Sequence, residues 1–172
     1  FNTGADTAMS LDSVPNGYNR IKVKSGTITG DIGMRSMSTQ NLELAGGSVT
    51  GTVSMDGGSV IVSSPSSNVF PSLTAGDNTL EVDMSGSTLQ YPDPQLTAGY
   101  KTVKVTAGTI AAASGATNAL DFTNAASSPT LELNGGTVAD PVVMSSGTVK
   151  LTGGAATYTL PTMSGSGNTL EV

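Results

Sequence analysis

Carboxylates are the side chains through which this 172-residue sequence could do enzymatic chemistry. Glycoside hydrolysis needs two carboxyl groups about 5 to 9.5 Å apart, one as acid and the other as nucleophile or base. The candidates are Asp93, Asp121 and the group Asp77, Glu81 and Asp83. Glu81 recurs as Glu171 and Glu43 as Glu132 in corresponding stretches, however, and recurrence of this kind suits outward scaffold positions better than a single active centre. The same oxygens raise the question of calcium, with Gly76-Asp77-Asn78-Thr79 and Asp56-Gly57 as the segments to consider. Gly167 replaces Asp77 in the second of the corresponding stretches, which favours turn chemistry over a metal site. With no His, Cys or Trp, imidazole bases, Ser-His-Asp and Cys-His systems, thiolate or imidazole zinc sites and CxxC redox chemistry are all excluded. The expectation is therefore no catalytic residue, no metal and no cofactor.

The elements that must carry these residues are β-strands. Ser, Thr and Gly (22, 24 and 22 residues) make up 68 of the 172 positions, whereas charged residues are 12% and aromatics 4%. Apolar residues still account for 37%, and most Val, Ile and Leu lie in short alternating runs, so the composition fits repetitive β structure rather than disorder. The net charge of −6 offers no electrostatic footprint for nucleic acid. No apolar run approaches the roughly 20 residues of a membrane-spanning helix, so membrane insertion is not expected either.

The sequence is a tandem duplication, with copy one at residues 1–82 and copy two at 83–172. Residues 17–28 (GYNRIKVKSGTI) return as 99–110 (GYKTVKVTAGTI), seven of the twelve positions being identical. Leu42-Glu43-Leu44-Ala45-Gly46-Gly47 returns as Leu131-Glu132-Leu133-Asn134-Gly135-Gly136, and Asn78-Thr79-Leu80-Glu81-Val82 returns unchanged as Asn168-Thr169-Leu170-Glu171-Val172. The extra residues of copy two fall in connections, chiefly between Ile110 and Leu131. The Ala-rich part of that connection, Ala111 to Leu120, reads as loop with at most one helical turn, because Gly115 interrupts it.

A smaller motif recurs within each copy: apolar, any, apolar, two residues, Gly, Ser or Thr, then Val or Ile. It spans Ile21 to Ile28, Leu42 to Val49, Val53 to Val60, Val103 to Ile110, Leu131 to Val138 and Val142 to Val149. Alternation with period two puts one face of a short strand on a core, and the glycine supplies a corner. The predicted fold is all-β with essentially no helix, as a β-solenoid or as paired β-sandwiches. Scarce aromatics favour the solenoid; the uneven spacing of Ile21, Leu42, Val53 and Leu80 favours the sandwiches. Tyr18 and Tyr100, each between a Gly and a strand, are expected to close one end of each copy's core. Lys22 and Lys104 read as strand exterior or edge protection.

Phrases such as Ser25-Gly26-Thr27-Ile28-Thr29-Gly30, the segment Leu44 to Gly51 and Leu133 to Val138 resemble the passenger regions of bacterial surface adhesins and the stalks of fibrous surface and phage-fibre proteins. The resemblance implies an extracellular or cell-surface structural protein, a subunit or segment of a filament, fibre or adhesin, with surface glycans or a host surface among its partners. A virion component, such as a tail fibre or capsid decoration, is the alternative; a carbohydrate-active β-helix enzyme is the third. The expected partner is a second copy in a head-to-tail homopolymer. The end carrying Asn168, Leu170 and Val172 is expected to receive a neighbour's strand bearing Ala5, Met9 and Leu11, which alternate with Asp6, Ser10 and Asp12.

Overall fold

A computed structural model describes residues 20–34, 40–55, 57–65, 71–73, 76–91, 96, 99–153 and 158–172. The chain is a β-solenoid, and no described residue is helical. Its first rung is β1 (Arg20–Val23), β2 (Thr27–Thr29) and β3 (Ile32–Gly33), one strand on each of three sides. The second is β4 (Asn41–Leu44), β5 (Ser48–Thr50) and β6 (Thr52–Ser54); the third holds β7 (Ser59–Val62) and β8 (Ser72–Leu73). Next come two long strands, β9 (Asn78–Tyr91) and β10 (Tyr100–Ala112), each running along two sides without a break. β11 (Leu120–Asp121) completes the rung of β10 and is followed by β12 (Thr130–Leu133), β13 (Thr137–Val138) and β14 (Val142–Val143). β15 (Thr148–Leu151), β16 (Met163–Ser164) and β17 (Thr169–Glu171) end the described stack.

Every strand pair is parallel and links one rung to the next, in the first-side order β1-β4-β7-β9-β10-β12-β15-β17. This pairing decides between the two predicted architectures, because sandwiches of the expected kind pair antiparallel strands. The uneven motif spacing has a different origin. The motif marks two corners: Gly26, Gly47, Gly108 and Gly136 turn the chain from the first side to the second, whereas Gly58 and Gly147 return it from the third side to the first. Measured along the first side, rungs follow at intervals from 18 residues (Leu42 to Val60) to 28 (Val103 to Leu131).

The inward rows explain the alternation. Leu42, Val60, Leu80, Val103 and Leu131 lie in register and are fully buried, as are Leu44, Val62, Val82, Val105 and Leu133 beside them. Small aliphatic side chains repeat at the roughly 4.8 Å rung spacing and fill a narrow interior that has little room for aromatic rings. The duplication extends to packing at the corners. A Cβ added at Gly47 would collide with Val23 Cγ1, and one at Gly136 with Val105 Cγ1, so close backbone approach requires glycine at the same place in both copies.

The boundary between the copies, residues 82 and 83, falls inside β9, and its pairing with β10 continues across it through a bulge, Val82 facing Val105 and Asp83 facing Ala107. Tyr100 accordingly does not close an end. It is buried in mid-stack, with its hydroxyl donating to the Pro71 carbonyl at 3.1 Å, so the expected end-plug is an internal link between the start of β10 and the third rung. Tyr18 lies outside the described residues. Ala111 and Ala112 finish β10, and the chain then turns through Ala113 to Ala116 before reaching β11, in keeping with the loop reading.

Candidate functional site

The predicted acidic candidates do not gather into a centre. Asp121 is occupied by its own turn, accepting from Thr123 N at 2.8 Å and Thr123 Oγ1 at 2.5 Å. Asp77 is exposed and pairs with Lys101 Nζ at 2.6 Å, while Glu81 accepts from Thr106 Oγ1 at 3.0 Å on the outer face of the first side. Asp93 and Asp56 lie outside the described residues. Among the described residues no three acidic side chains stand together as a metal site would need.

Asn78, assigned to a turn in the sequence, has another role. It opens β9, is fully buried, and ties three rungs together. Its Oδ1 accepts from Gly58 N at 2.9 Å, and its Nδ2 donates to Met55 O and to Gly99 O, both at 3.0 Å. Asn168 repeats the inner half of this arrangement, accepting from Gly147 N at 3.0 Å and donating to Met144 O at 2.7 Å. The available signal was that both asparagines begin the one pentapeptide the copies share without change.

The outward positions of the first side form two rows. The first contains Thr79, Thr102, Thr130, Thr148 and Thr169 on successive rungs. The second reads Lys22, Glu43, Ile61, Glu81, Lys104, Glu132, Lys150 and Glu171. Charges on neighbouring rungs are opposite throughout, and Ile61 separates the two glutamates that would otherwise be adjacent. Ion pairs join Lys22 to Glu43 at 2.6 Å, Lys104 to Glu81 at 3.9 Å and Lys150 to Glu171 at 3.2 Å.

Glu43 is the one buried member of this row. The hydrogen bond from Lys22 holds its carboxyl below the usual glutamate range; burial opposes that, and Arg20 at 2.5 Å and Ser63 at 3.2 Å reinforce it. A carboxyl whose pKa is depressed by folding contributes stability that is complete above its unfolded pKa and is lost as pH falls through the folded one. We therefore expect the melting temperature to drop on acidification below the ordinary glutamate range. Glu43→Gln should be less stable at neutral pH and show a shallower acid drop; equal slopes for both proteins would remove Glu43 from the acid response.

The remaining feature is the edge at β17. Asn168, Leu170 and Val172, expected to receive a neighbour, lie together here, whereas Ala5, Met9 and Leu11 lie outside the described residues. Leu160, Leu170 and Val172 are 45%, 52% and 93% exposed, and Val149, Leu160, Pro161, Met163 and Leu170 line an apolar pocket. The equivalent pentapeptide in copy one, Asn78 to Val82, is covered: β10 lies on it with Val103 on Leu80, Lys104 on Glu81 and Val105 on Val82. Leu80 and Val82 are consequently fully buried. Segment 83–91, the counterpart of part of the expected donor strand, continues β9 itself; the covering strand β10 has β1 as its counterpart in copy one.

Comparison of the chain with known protein families, curated proteins and solved structures finds no match. No described helix is long and apolar enough to cross a membrane.

Proposed function

We propose that this chain is a non-enzymatic structural protein, a segment of an extracellular or cell-surface fibre that lengthens by stacking its solenoid end to end with further copies. The observation supporting this reading is the stack itself: every described strand pair is parallel and joins one rung to the next, and the Asn-Thr-Leu-Glu-Val segment on which β10 lies in copy one recurs unchanged in copy two. The edge of a parallel rung is a template for a further strand, which is how such a stack is extended. Such an edge meets a different surface on the next molecule, so the contact is heterologous and generates an open linear assembly. The Thr- and Gly-rich composition suits a rod, whose stability comes from repetition rather than from a large core.

Sedimentation velocity and negative-stain microscopy of the 172-residue protein test the reading. The expected result is a concentration-dependent series of species extending into unbranched rods of constant width. A single monomeric species up to millimolar concentration would overturn it.

A further inference from the structure

Copy two carries a reactive corner that copy one lacks. We infer that Asn134 is a site of spontaneous covalent modification in the folded protein: the backbone nitrogen of Gly135 displaces its side-chain amide, and an aspartyl or isoaspartyl residue forms at the corner between β12 and β13. In the first step the Gly135 nitrogen bonds to Asn134 Cγ, the Cγ–Nδ2 bond breaks, and Nδ2 leaves as ammonia with the proton that Gly135 gave up. Water then opens the resulting cyclic imide. Attack at Cγ restores the ordinary main chain with an aspartate; attack at the main-chain carbonyl leaves the chain running through Cγ as an isoaspartate. Neither step needs an oxidant, a metal or an enzyme.

The sequence supplies one condition. Among the described residues Asn134 alone is an asparagine followed by glycine, whereas Asn41, Asn78, Asn118, Asn124 and Asn168 precede Leu, Thr, Ala, Ala and Thr. A side chain on the following residue crowds the approach of its nitrogen, and glycine has none. Copy one has Ala45 at the equivalent corner, so the chemistry belongs to copy two.

The fold supplies the others. Gly135 is exposed with φ of 105°, and its N–H donates no hydrogen bond among the described residues, although Asn134 N and Gly136 N on either side both donate to Val105 O, at 2.9 and 3.2 Å. The nitrogen that must attack is thus the one that the ladder does not use. The half-buried Asn134 side chain likewise makes no hydrogen bond among the described residues, whereas Asn78 is held by bonds to Gly58, Met55 and Gly99. Over the reacting peptide lies Gly153 of the next rung. A Cβ there would stand 3.0 Å from both Asn134 C and Gly135 N, so its absence keeps that face of the peptide open. Either product places a new carboxylate two residues from Glu132, and ageing makes the two copies unequal in charge.

Peptide mapping by mass spectrometry of the full 172-residue protein, held without denaturant at mildly alkaline pH and physiological temperature, tests the site. Asn134 should lose its amide roughly tenfold faster than Asn41, Asn78, Asn118, Asn124 or Asn168, with matching release of ammonia. Gly153→Ala, which sets a methyl group over the attacking nitrogen, should slow the reaction severalfold in the folded protein and leave the rate in denaturant unchanged; circular dichroism verifies its fold. Conversion of Asn134 in denaturant alone would overturn the proposal, as would an Asn134 no faster than Asn118 or Asn124. An unchanged folded-state rate in Gly153→Ala with its β signal intact would overturn the open face as its cause.

Discussion

Asn78→Asp is expected to destabilise the protein by about 3 kcal/mol or more at neutral pH. The side chain is fully buried, and its Nδ2 donates to the carbonyls of Met55 and Gly99 on opposite sides of its rung. An aspartate has nearly the same shape, but where the amide donated twice it sets a carboxylate oxygen against two carbonyl oxygens. The group responds by raising its pKa, so the penalty is greatest above that value and shrinks as pH falls and the protonated acid regains one donor. Asn168→Asp should cost distinctly less, because Asn168 is only half-buried and its bonds to Met144 and Gly147 lie on one side. Denaturant titrations of both variants at neutral and acidic pH check the ranking and the sign. Equal losses, or a larger loss at low pH, would contradict the rung-bridging role.

The second large effect is expected at the inward leucines. Leu44→Asp and Leu133→Asp should each cost at least about 4 kcal/mol, since each removes a fully buried side chain and leaves a charge with neither water nor a partner. That approaches the whole stability of an ordinary domain, so loss of the cooperative melt near the substituted rungs is the anticipated signature. Leu44→Met, which nearly conserves volume, should cost less than about 1.5 kcal/mol and serves as the control. If the aspartate variants melt with the parent, Leu44 and Leu133 do not face the interior.

These leucines were readable in advance. Alternation in Ile21-Lys22-Val23 and Leu42-Glu43-Leu44 identifies an inward face because side chains on a strand point to opposite sides, a rule that needs no tertiary information. The glycine corners were readable for a similar reason. Which corner each glycine makes was not: Gly47 and Gly58 sit in the same local motif but turn the chain at different sides of the coil, and only pairing with neighbouring rungs distinguishes them. Asn78 was misassigned because Gly-Asp-Asn-Thr has the local chemistry of a turn, whereas its role depends on carbonyls some 20 residues away in both directions. The charge row stayed hidden for the same reason. Lys22, Glu43 and Glu171 each read as exterior, and their alternation exists only once rungs separated by unequal lengths of chain are brought into register.

The uninterrupted passage of β9 and β10 along two sides has a mechanical consequence. Tension applied along the long axis of the stack loads the ladder bonds of one rung at a time, so separation begins wherever a rung grips its neighbour over the shortest length. β9 and β10 pair over two stretches, Asn78 to Asp83 and Thr88 to Tyr91, whereas β17 pairs with β15 only through Thr169 to Glu171. Under load the contact between β15 and β17 should therefore part before the seam joining the two sequence copies.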